Sequence, residues 1–274
     1  MTGVKAHFPA PAWLVGCGNM AGAMVHGWQA AGIDLSSVTA IRPSGRKVDG
    51  VETSSALPAG AAPGFVMLGF KPQKLDEVVP SLAPSVGQGT ILVSLLAGVS
   101  AATLRKRFPH ARAIVRAMPN LPVAQQAGVT ALFAEDEDSE ALELVEALMV
   151  ELGLAPWCPD EAAFAAIGAV AGSGPAYVAR FGEALARGGE RLGLQPDLAV
   201  AIALQTLVGT ATMAAATGEA MRDIARRVAS PNGTTEQGLA VLDAPDGLQH
   251  LVDRMLDAAI RRGQELAAEA AARG

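Results

Sequence analysis

Residues 13–22 are W-L-V-G-C-G-N-M-A-G, an apolar run that passes through a glycine-rich turn into helix-forming residues. This is a GxGxxA pattern. Its first glycine allows a tight turn, its second lets a pyrophosphate approach the backbone, and its small last residue lets helix and strand pack closely. The start of the helix then faces the phosphates. In this strand–turn–helix context the pattern predicts a dinucleotide site, and the residues predicted to line it are Gly16, Cys17, Gly18, Asn19 and Met20.

The end of the second predicted strand bears on the choice of dinucleotide. A fold that prefers NAD usually places an acidic residue there, on the ribose 2′-hydroxyl. Here the residues at 41–44 are I-R-P-S, with Arg46 and Lys47 close by and no acid among them. Arg42 and Ser44 suit a 2′-phosphate, so NADP is the predicted cofactor and NAD the alternative. The competing interpretation makes Arg42 a solvated loop residue.

Two further loops follow predicted strands, G-F-K-P-Q at 69–73 and L-L-A-G-V at 95–99. In a doubly wound sheet, ligands collect at the carboxyl ends of the strands. Small residues there let a cofactor lie against the backbone, and Lys71 is long enough to reach a ribose or a phosphate. The residues predicted to contact the cofactor from these loops are Phe70, Lys71, Pro72, Ala97 and Gly98. Taken singly, each loop is also consistent with an ordinary turn.

The chain has two parts with different hydrophobic rhythms. Residues 12–158 alternate short apolar runs with helix-like segments, which predicts a parallel sheet covered on both faces. The predicted strands are Trp13–Val15, Val38–Ile41, Phe65–Gly69, Ile91–Leu95, Ala113–Arg116 and Val129–Phe133, and residues 50–64 carry only a weak signal. After about residue 160 the pattern is helical throughout. We therefore expect an α/β Rossmann-type N-terminal domain, residues 12–159, and an all-α C-terminal domain, residues 160–274.

Composition excludes some classes of function. The 21 Lys and Arg residues against 27 Asp and Glu give a formal charge of −6, and a nucleic-acid binder usually carries a basic footprint. Cys17 and Cys158 lie far apart and outside any CxxC pair, which favours free thiols in a reducing compartment. The four histidines show no metal-ligand spacing, so no metal site is predicted. We expect a cytoplasmic protein, since the first residues show no apolar run typical of a signal peptide.

The segment Leu198–Gly218 contains no charged residue and has almost the length of a membrane span. It is rich in Ala, Thr and Gly, and acidic residues flank it at Asp197 and Glu219 without an adjacent Lys or Arg. A helix that is apolar on all sides is also typical of the centre of a helical bundle. We therefore predict a buried helix and no membrane association.

Six motifs together make the chain resemble the pyrroline-5-carboxylate reductase family. They are G-C-G-N-M-A at 16–21, K-P-Q at 71–73, A-G-V at 97–99, R-A-M-P-N at 116–120, G-S-G-P-A-Y at 172–177 and S-P-N-G-T-T at 230–235. Many dehydrogenases share the first, whereas the last three in this order are close to diagnostic. The chain departs from the family at Asn232, where glycine is more usual, at Gly69-Phe70 before the lysine, and over the shorter stretch 50–64. Residues 1–11 lie outside the resemblance.

The resemblance implies hydride transfer from NAD(P)H to the C=N carbon of 1-pyrroline-5-carboxylate, giving L-proline in the last step of proline biosynthesis. It also implies that the C-terminal domain is a dimerisation domain that interlocks with a second copy, with higher assemblies in some members. The uncharged 198–218 helix would then be buried at that interface.

The resemblance also implies roles for particular residues. The 230–235 loop would hold the substrate carboxylate through backbone N–H groups, including that of Thr234, and the Thr235 hydroxyl would meet the ring nitrogen. Glu161 would contact the substrate, and Asn120 would orient the cofactor or its loop. The competing interpretations are a surface glutamate at a helix start for Glu161 and a turn asparagine for Asn120. The residues of this loop that are predicted to bind the substrate are Ser230, Asn232, Gly233, Thr234 and Thr235.

Local sequence leaves open where the helix after this loop begins. Ser230 suits an N-cap with Pro231 in the first turn, and the Asn232–Thr234 turn is the alternative. Either start exposes backbone N–H groups that attract an anion. A purely structural cap is the competing interpretation for Ser230 and Thr234.

Two rival functions remain at this stage. A β-hydroxyacid dehydrogenase shares the two-part architecture but carries a catalytic lysine on the first long helix of its second domain, and 175–192 contains none. The other rival is a cofactor-binding protein without activity, against which the intact Thr234-Thr235 pair argues. The sequence leaves open the preference for NADPH or NADH, the oligomer size, feedback by proline, activity on related cyclic imines and the role of residues 1–11.

Overall fold

The computed structural model describes residues 5–60 and 62–271. Its strands are Ala12–Val15 (β1), Val38–Ile41 (β2), Glu52–Ser54 (β3), Phe65–Leu68 (β4), Ile91–Ser94 (β5), Ala113–Pro119 (β6), Gly128–Ala134 (β7) and Gly153–Leu154 (β8). They form one sheet in the order β3-β2-β1-β4-β5-β6-β7-β8. All paired neighbours are parallel except β6 and β7, which are antiparallel.

The central strands are buried on both faces. In β1, Ala12 and Leu14 join one hydrophobic core, whereas Trp13 and Val15 join the other. The strands β4 and β5 divide their residues in the same alternating way. This explains why these segments are continuous apolar runs rather than alternating ones, since a parallel sheet has no solvent-facing side.

Helices cover both faces of this sheet. They are Asn19–Ala30 (α1), Leu75–Leu82 (α2), Ala101–Arg107 (α3), Ser139–Val150 (α4) and Glu161–Ile167 (α5). Residues of α1 and α4 lie in one core and residues of α2 and α3 in the other, and the indole N–H of Trp28 ties α1 to α4 by donating to the carbonyl of Leu148 at 2.7 Å. Side chains of Ser100, Asp138 and Asp160 cap α3, α4 and α5, as expected for these residue types.

The sheet differs from expectation in three places. The strand β7 was predicted, but its antiparallel pairing with β6 was not. A short connection, Leu121–Gln125, follows β6, and it lacks the length that a parallel crossover needs. The strand β3 lies in the weak stretch 50–64, and β8 is only two residues long, so neither has enough residues to show a hydrophobic period.

The C-terminal part is helical. Its helices are Gly174–Arg191 (α6), Pro196–Thr217 (α7), Met221–Val228 (α8), Thr234–Leu242 (α9) and Leu248–Ala271 (α10). Pro196 occupies the first turn of α7, and Gly218 ends it at φ 69°, the left-handed conformation that glycine adopts at low cost. Between α5 and α6, Gly168–Gly172 forms a π-helical segment.

Contacts within the chain divide it into two compact units. The first runs to Ser173 and takes in the residues from Ile260 onward, and the second is Gly174–Ala259. Helix α5 therefore belongs to the first unit. The division into a domain of residues 12–159 and a domain of residues 160–274 stays a prediction.

The expectation that the 198–218 helix is buried within the chain is wrong. Only Ala199 and Ala203 of α7 are buried, while Leu204 is 61% exposed and Val200 is 56% exposed. Two stretches among the described residues, Glu161–Arg191 and Pro196–Thr217, are long and apolar enough to cross a membrane, with 11% of each apolar window buried. An apolar helix of this kind needs a cover that the single chain does not supply.

Candidate active site

The glycine-rich loop after β1 is packed tightly against the loop after β4. Gly16 has φ 82°, and a Cβ added there would lie 2.6 Å from the Cβ of Phe70. A Cβ on Gly69 would lie 2.6 Å from the carbonyl oxygen of Gly16. Glycine is therefore required at both positions, by the positive φ at Gly16 and by the close backbone approach at Gly69. The sequence analysis assigned no structural role to Gly69, although a glycine directly after a buried strand is a signal of close backbone approach.

The first turn of α1 is open where a pyrophosphate would approach. Gly18 is the N-cap, makes no side-chain cap, and is followed by a first turn without acidic residues. A Cβ on Gly18 would find no atom within 4 Å. The first intrahelical hydrogen bond runs from Gly22 N–H to Gly18 O, so the three preceding N–H groups have no helical acceptor. This open, positively polarised helix start fits the phosphates of a dinucleotide.

Cys17 contributes its backbone rather than its thiol to this loop. The side chain is buried, and burial raises the pKa of the Cys17 thiol to about 11, with the nearby charge of Arg42 lowering it in part. The thiol is therefore neutral at physiological pH.

Arg42 and Ser44 follow β2 in a loop of basic and small residues. The guanidinium of Arg42 donates one hydrogen bond to the carbonyl of Arg46 at 3.2 Å, and a guanidinium has five N–H donors in all. The Ser44 hydroxyl lies in the same loop and accepts from the Arg46 N–H at 3.4 Å. The surroundings thus offer positive charge to a 2′-phosphate. NADPH selectivity itself stays a prediction.

The loops after β4 and β5 lie at the same carboxyl edge of the sheet. Phe70 is half-buried against Gly16, Lys71 is exposed, and Pro72 begins a short 3₁₀ turn, Pro72–Lys74. After β5, Ala97 is exposed and Gly98 has φ 75°. Because parallel strands end at one edge, the structure brings these residues to the side of the sheet where the glycine-rich loop lies.

Asn120 closes β6 and has both ends of its amide engaged. Its side-chain oxygen accepts from the Val129 N–H at 2.8 Å, and its nitrogen donates to the carbonyl of Ala171 at 2.9 Å. The side chain therefore links β7 to the π-helical segment by hydrogen bonds, and it is 6% exposed. These contacts support a role in orienting the loop, and a cofactor contact stays a prediction.

Glu161 is occupied by a protein partner. It is the first residue of α5, and its carboxylate forms an ion pair with the Arg116 guanidinium. Arg116 is 7% exposed and also stacks over the ring of Phe164, with its Cζ 4.3 Å from the centroid. Removing either partner leaves a charge without its counter-ion, which is costly for the buried guanidinium. Sequence analysis assigned no role to Arg116, because an arginine inside a strand carries no local sign of its partner.

The second unit contains the predicted substrate loop, which forms a turn rather than a helix start at Ser230. The Gly233 N–H donates to the Ser230 carbonyl at 2.9 Å, and Asn232 has φ 56°. Pro231 and the left-handed Asn232 occupy the central positions of a type II turn. The helix start inferred at Ser230, with Pro231 in its first turn, is therefore wrong, and the alternative at the 232–234 turn is confirmed.

Helix α9 begins at Thr234 with Gly233 as its N-cap and no side-chain cap. The N–H groups of Thr234, Thr235 and Glu236 therefore lack helical acceptors. Both threonines stand in the first turn, Thr234 exposed and Thr235 half-buried. This start, like that of α1, has the properties of an anion site. The structure thus gathers Ser230, Asn232, Gly233, Thr234 and Thr235 into one turn, while Glu161 lies in the other unit.

These features define a dinucleotide-dependent oxidoreductase with a separate helical unit. Residues 13–98 match a family model described as NADP oxidoreductase, coenzyme F420-dependent, and residues 161–266 match one described as pyrroline-5-carboxylate reductase dimerisation. Groups of three or more His, Cys, Asp or Glu side chains that could hold a metal are absent from the described residues.

Comparison with known proteins extends this result to nearly the whole chain. A pyrroline-5-carboxylate reductase of Pseudomonas aeruginosa is 36% identical over 93% of this chain and 96% of its own length. The structure of a pyrroline-5-carboxylate reductase from Coxiella burnetii is 35% identical, covers 94% of this chain and 99% of its own, and superposes with a TM-score of 0.87. A Plasmodium falciparum pyrroline carboxylate reductase solved with NADP bound is 22% identical, covers 96% and 100%, and at a TM-score of 0.81 shows the shared fold.

The chain belongs to the pyrroline-5-carboxylate reductase family. It is an oxidoreductase that reduces 1-pyrroline-5-carboxylate to L-proline, and NADP is its cofactor.

Proposed function

We propose that this chain catalyses the last step of proline biosynthesis in the cytoplasm, with NADPH as its preferred hydride donor and the residues described above in specific roles. The observation that carries the assignment is the pair of uncapped helix starts, at α1 and α9, that follow the glycine-rich loop and the 230–235 loop. Each offers backbone N–H donors to an anion. One suits the pyrophosphate of the cofactor and the other the carboxylate of the substrate.

The residues of the first unit hold the cofactor. The loop from Gly16 to Met20 receives the pyrophosphate, and Arg42 with Ser44 receives the 2′-phosphate. The loops after β4 and β5, with Phe70, Lys71, Pro72, Ala97 and Gly98, border the rest of the dinucleotide. When bound, NADPH supplies a hydride, and the protein supplies binding and orientation. The NADP bound to the Plasmodium relative supports this choice, and the basic loop 42–47 is consistent with it.

The loop 230–235 holds the substrate. The N–H groups at the start of α9 bind the carboxylate, and Ser230 with Asn232 and Gly233 shapes the turn that presents them. The Thr235 hydroxyl hydrogen-bonds the ring nitrogen, because an iminium ion accepts hydride better than a neutral imine. That hydroxyl accepts the iminium N–H before transfer and keeps the ring oriented as the nitrogen becomes an amine. The Glu161 carboxylate, paired with Arg116, is proposed to contact the substrate with its exposed side.

The cover for α6 and α7 is a second copy of the chain. Apolar side chains such as Val178, Leu185, Val200 and Leu204 are exposed on these helices, and residues 161–266 match a dimerisation model. Burying such a face in an obligate homodimer is a common solution. We propose an interlocked homodimer, with a larger assembly of such dimers as the alternative, and no association with nucleic acid or membranes.

The direct test is oxidation of NADPH, and then of NADH, followed at 340 nm after pyrroline-5-carboxylate is added to the pure protein. We expect substrate-dependent oxidation that is faster with NADPH at low cofactor concentration. Folded, cofactor-bound protein that oxidises neither cofactor would overturn the assigned reaction. A β-hydroxyacid with NADP+ is the comparison arm, followed as formation of NADPH at 340 nm, and no turnover is expected because α6 contains no lysine.

A further inference from the structure

Glu236 lies in the first turn of α9 and points back across the substrate loop. Its carboxylate accepts a hydrogen bond from the Asn232 N–H at 2.7 Å. In a capping box the acidic residue at this helical position binds the N–H of the N-cap. Here the N-cap is Gly233, and its N–H already donates to Ser230 O at 2.9 Å. The carboxylate therefore reaches one residue further back and ties the corner of the turn to the helix.

This hydrogen bond stabilises the most unusual backbone in the loop. Asn232 is one of two non-glycine residues with positive φ among those the structure describes, the other being Gln126. A positive φ is costly for most side chains, although asparagine tolerates it better than most. The neighbouring Gly233 leaves no space, since a Cβ there would lie 2.4 Å from Ser230 Oγ. The turn thus depends on two backbone hydrogen bonds, one internal and one to Glu236.

The position of the carboxylate also leaves the helix start open. Glu236 is engaged with Asn232, and Gly233 has no side chain to accept from the first turn. Within the described part of the chain, the N–H groups of Thr234 and Thr235 therefore keep no side-chain acceptor. An N-cap serine or aspartate in place of Gly233 would compete for these donors.

We propose that Glu236 is a positioning residue of the substrate loop, which it holds through the Asn232 N–H so that the donors of Thr234 and Thr235 stay aimed at the carboxylate of a small anionic substrate. This inference rests on the proposed function of the loop. It assigns the effect to hydrogen-bond acceptance rather than to charge, because a second negative charge beside a bound carboxylate opposes binding.

The variants Glu236→Gln and Glu236→Ala separate these two contributions. Glutamine retains a side-chain oxygen that accepts from Asn232 and removes the charge, whereas alanine removes both. We expect Glu236→Ala to raise the KM for pyrroline-5-carboxylate about tenfold, the upper end of the typical effect of losing one hydrogen bond. We expect kcat and the KM for NADPH to change little, and Glu236→Gln to return the KM for the imine to within about twofold of the original.

Gln237→Ala is the matched control, since Gln237 is the next residue of the same helix and is exposed. It should leave all constants unchanged. Thermal melting and size-exclusion chromatography confirm that each variant folds and assembles. A rise in KM that is equal for alanine and glutamine, or one that appears equally for NADPH, would overturn the positioning role.

Amide hydrogen exchange of the substrate-free protein tests the contact independently of catalysis. The Asn232 N–H should be protected in the original chain and in Glu236→Gln and should exchange faster in Glu236→Ala. Equal exchange in all three would show that the contact does not hold the turn, and would overturn the inference while leaving the proposed reaction intact. An intact contact in a protein that fails to reduce pyrroline-5-carboxylate would overturn the proposed function, and the positioning role with it.

Discussion

The helices α1 and α9 begin with the same kind of N-cap in two different surroundings. Both have a glycine N-cap with φ −85°, Gly18 and Gly233, and neither has a side-chain cap. The α1 loop is fixed by packing, because Gly16 lies directly against Phe70. The α9 loop is exposed and is held by hydrogen bonds to Ser230 O and Glu236.

This difference matches what each helix start is proposed to bind. A pyrophosphate carries more charge than a carboxylate, and the first turn of α1 contains no acidic residue. The first turn of α9 contains Glu236, whose charge is engaged with a backbone N–H. We conclude that a packed loop suits a cofactor bound in the same way in every turnover. A hydrogen-bonded loop suits the smaller substrate, of which it binds a single carboxylate.

The strongest way to break the packed loop is Gly16→Ala. The added Cβ conflicts with Phe70 at 2.6 Å and must adopt φ 82°, a combination that costs about 2–3 kcal/mol or more. We expect NADPH affinity to fall by about 100-fold, measured by fluorescence titration. Gly22→Ala is the control, because a Cβ there meets no atom within 4 Å. Unchanged NADPH binding in Gly16→Ala would contradict the role of the packed loop.

Removing the hydroxyl proposed to bind the ring nitrogen at the other loop should have the next largest effect. Thr235→Ala deletes the group proposed to orient the ring nitrogen, and we expect kcat to fall by about 10–100-fold, the effect of losing a hydrogen bond to a charged group. NADPH binding should not change, since Thr235 stands in the second unit. Thr235→Ser, which keeps the hydroxyl, should recover most of the rate. Steady-state kinetics of both variants test this, and full turnover by the alanine variant would refute the assignment.

The basic loop after β2 is predicted to make a third anion contact, with the 2′-phosphate of NADPH, and a variant of Arg42 tests it. Arg42→Asp should raise the KM for NADPH about 10–100-fold, because a charge-assisted hydrogen bond is lost and a repulsive charge is added. The KM for NADH should change much less. Lys106→Asp makes the same charge change at an exposed position of α3 and should affect neither. Equal effects of Arg42→Asp on both cofactors would exclude a specific 2′-phosphate contact.

The smallest effect concerns the backbone of the α9 loop. Asn232→Ala places a residue that tolerates left-handed backbone poorly at φ 56°, and we expect the protein to lose about 1 kcal/mol of stability. Asn232→Gly removes the conformational penalty and should leave stability within about 0.5 kcal/mol of the original. Denaturant unfolding of the two variants at one protein concentration measures the difference. A more stable alanine variant would show that the turn does not require the left-handed conformation.

Most of the cofactor end could be predicted because its signals are local. The run W-L-V-G-C-G indicates a strand, a turn and a helix start within ten residues, and the observed β1 differs from the predicted strand by one residue. Strand β2 has the predicted bounds. Glycine and proline restrict the backbone wherever they occur, so their effect can be inferred without knowing the fold.

Contacts between residues that are distant in the sequence were not predicted. Three features join positions that local patterns treat separately. They are the antiparallel pairing of β7 with β6, the ion pair of Arg116 with Glu161, and the hydrogen bonds of the Asn120 amide to Val129 and Ala171. Glu236 is an intermediate case. Its spacing from the turn resembles a capping box, but only the structure shows that Gly233 is already engaged and that the carboxylate binds Asn232 instead.

The amino-acid sequence by itself determined the types of the main elements, the dinucleotide loop, the basic residues after β2 and the position of the 230–235 turn. These follow from hydrophobic period and from backbone restrictions, which act over a few residues. Only the tertiary structure decided that α9 begins at Thr234, that Arg116 is buried against Glu161 and that the apolar faces of α6 and α7 stay uncovered in one chain. Those outcomes depend on which groups from distant parts of the chain come into contact. Polar groups form hydrogen bonds with the partners that the fold brings near, and apolar surfaces are buried against them.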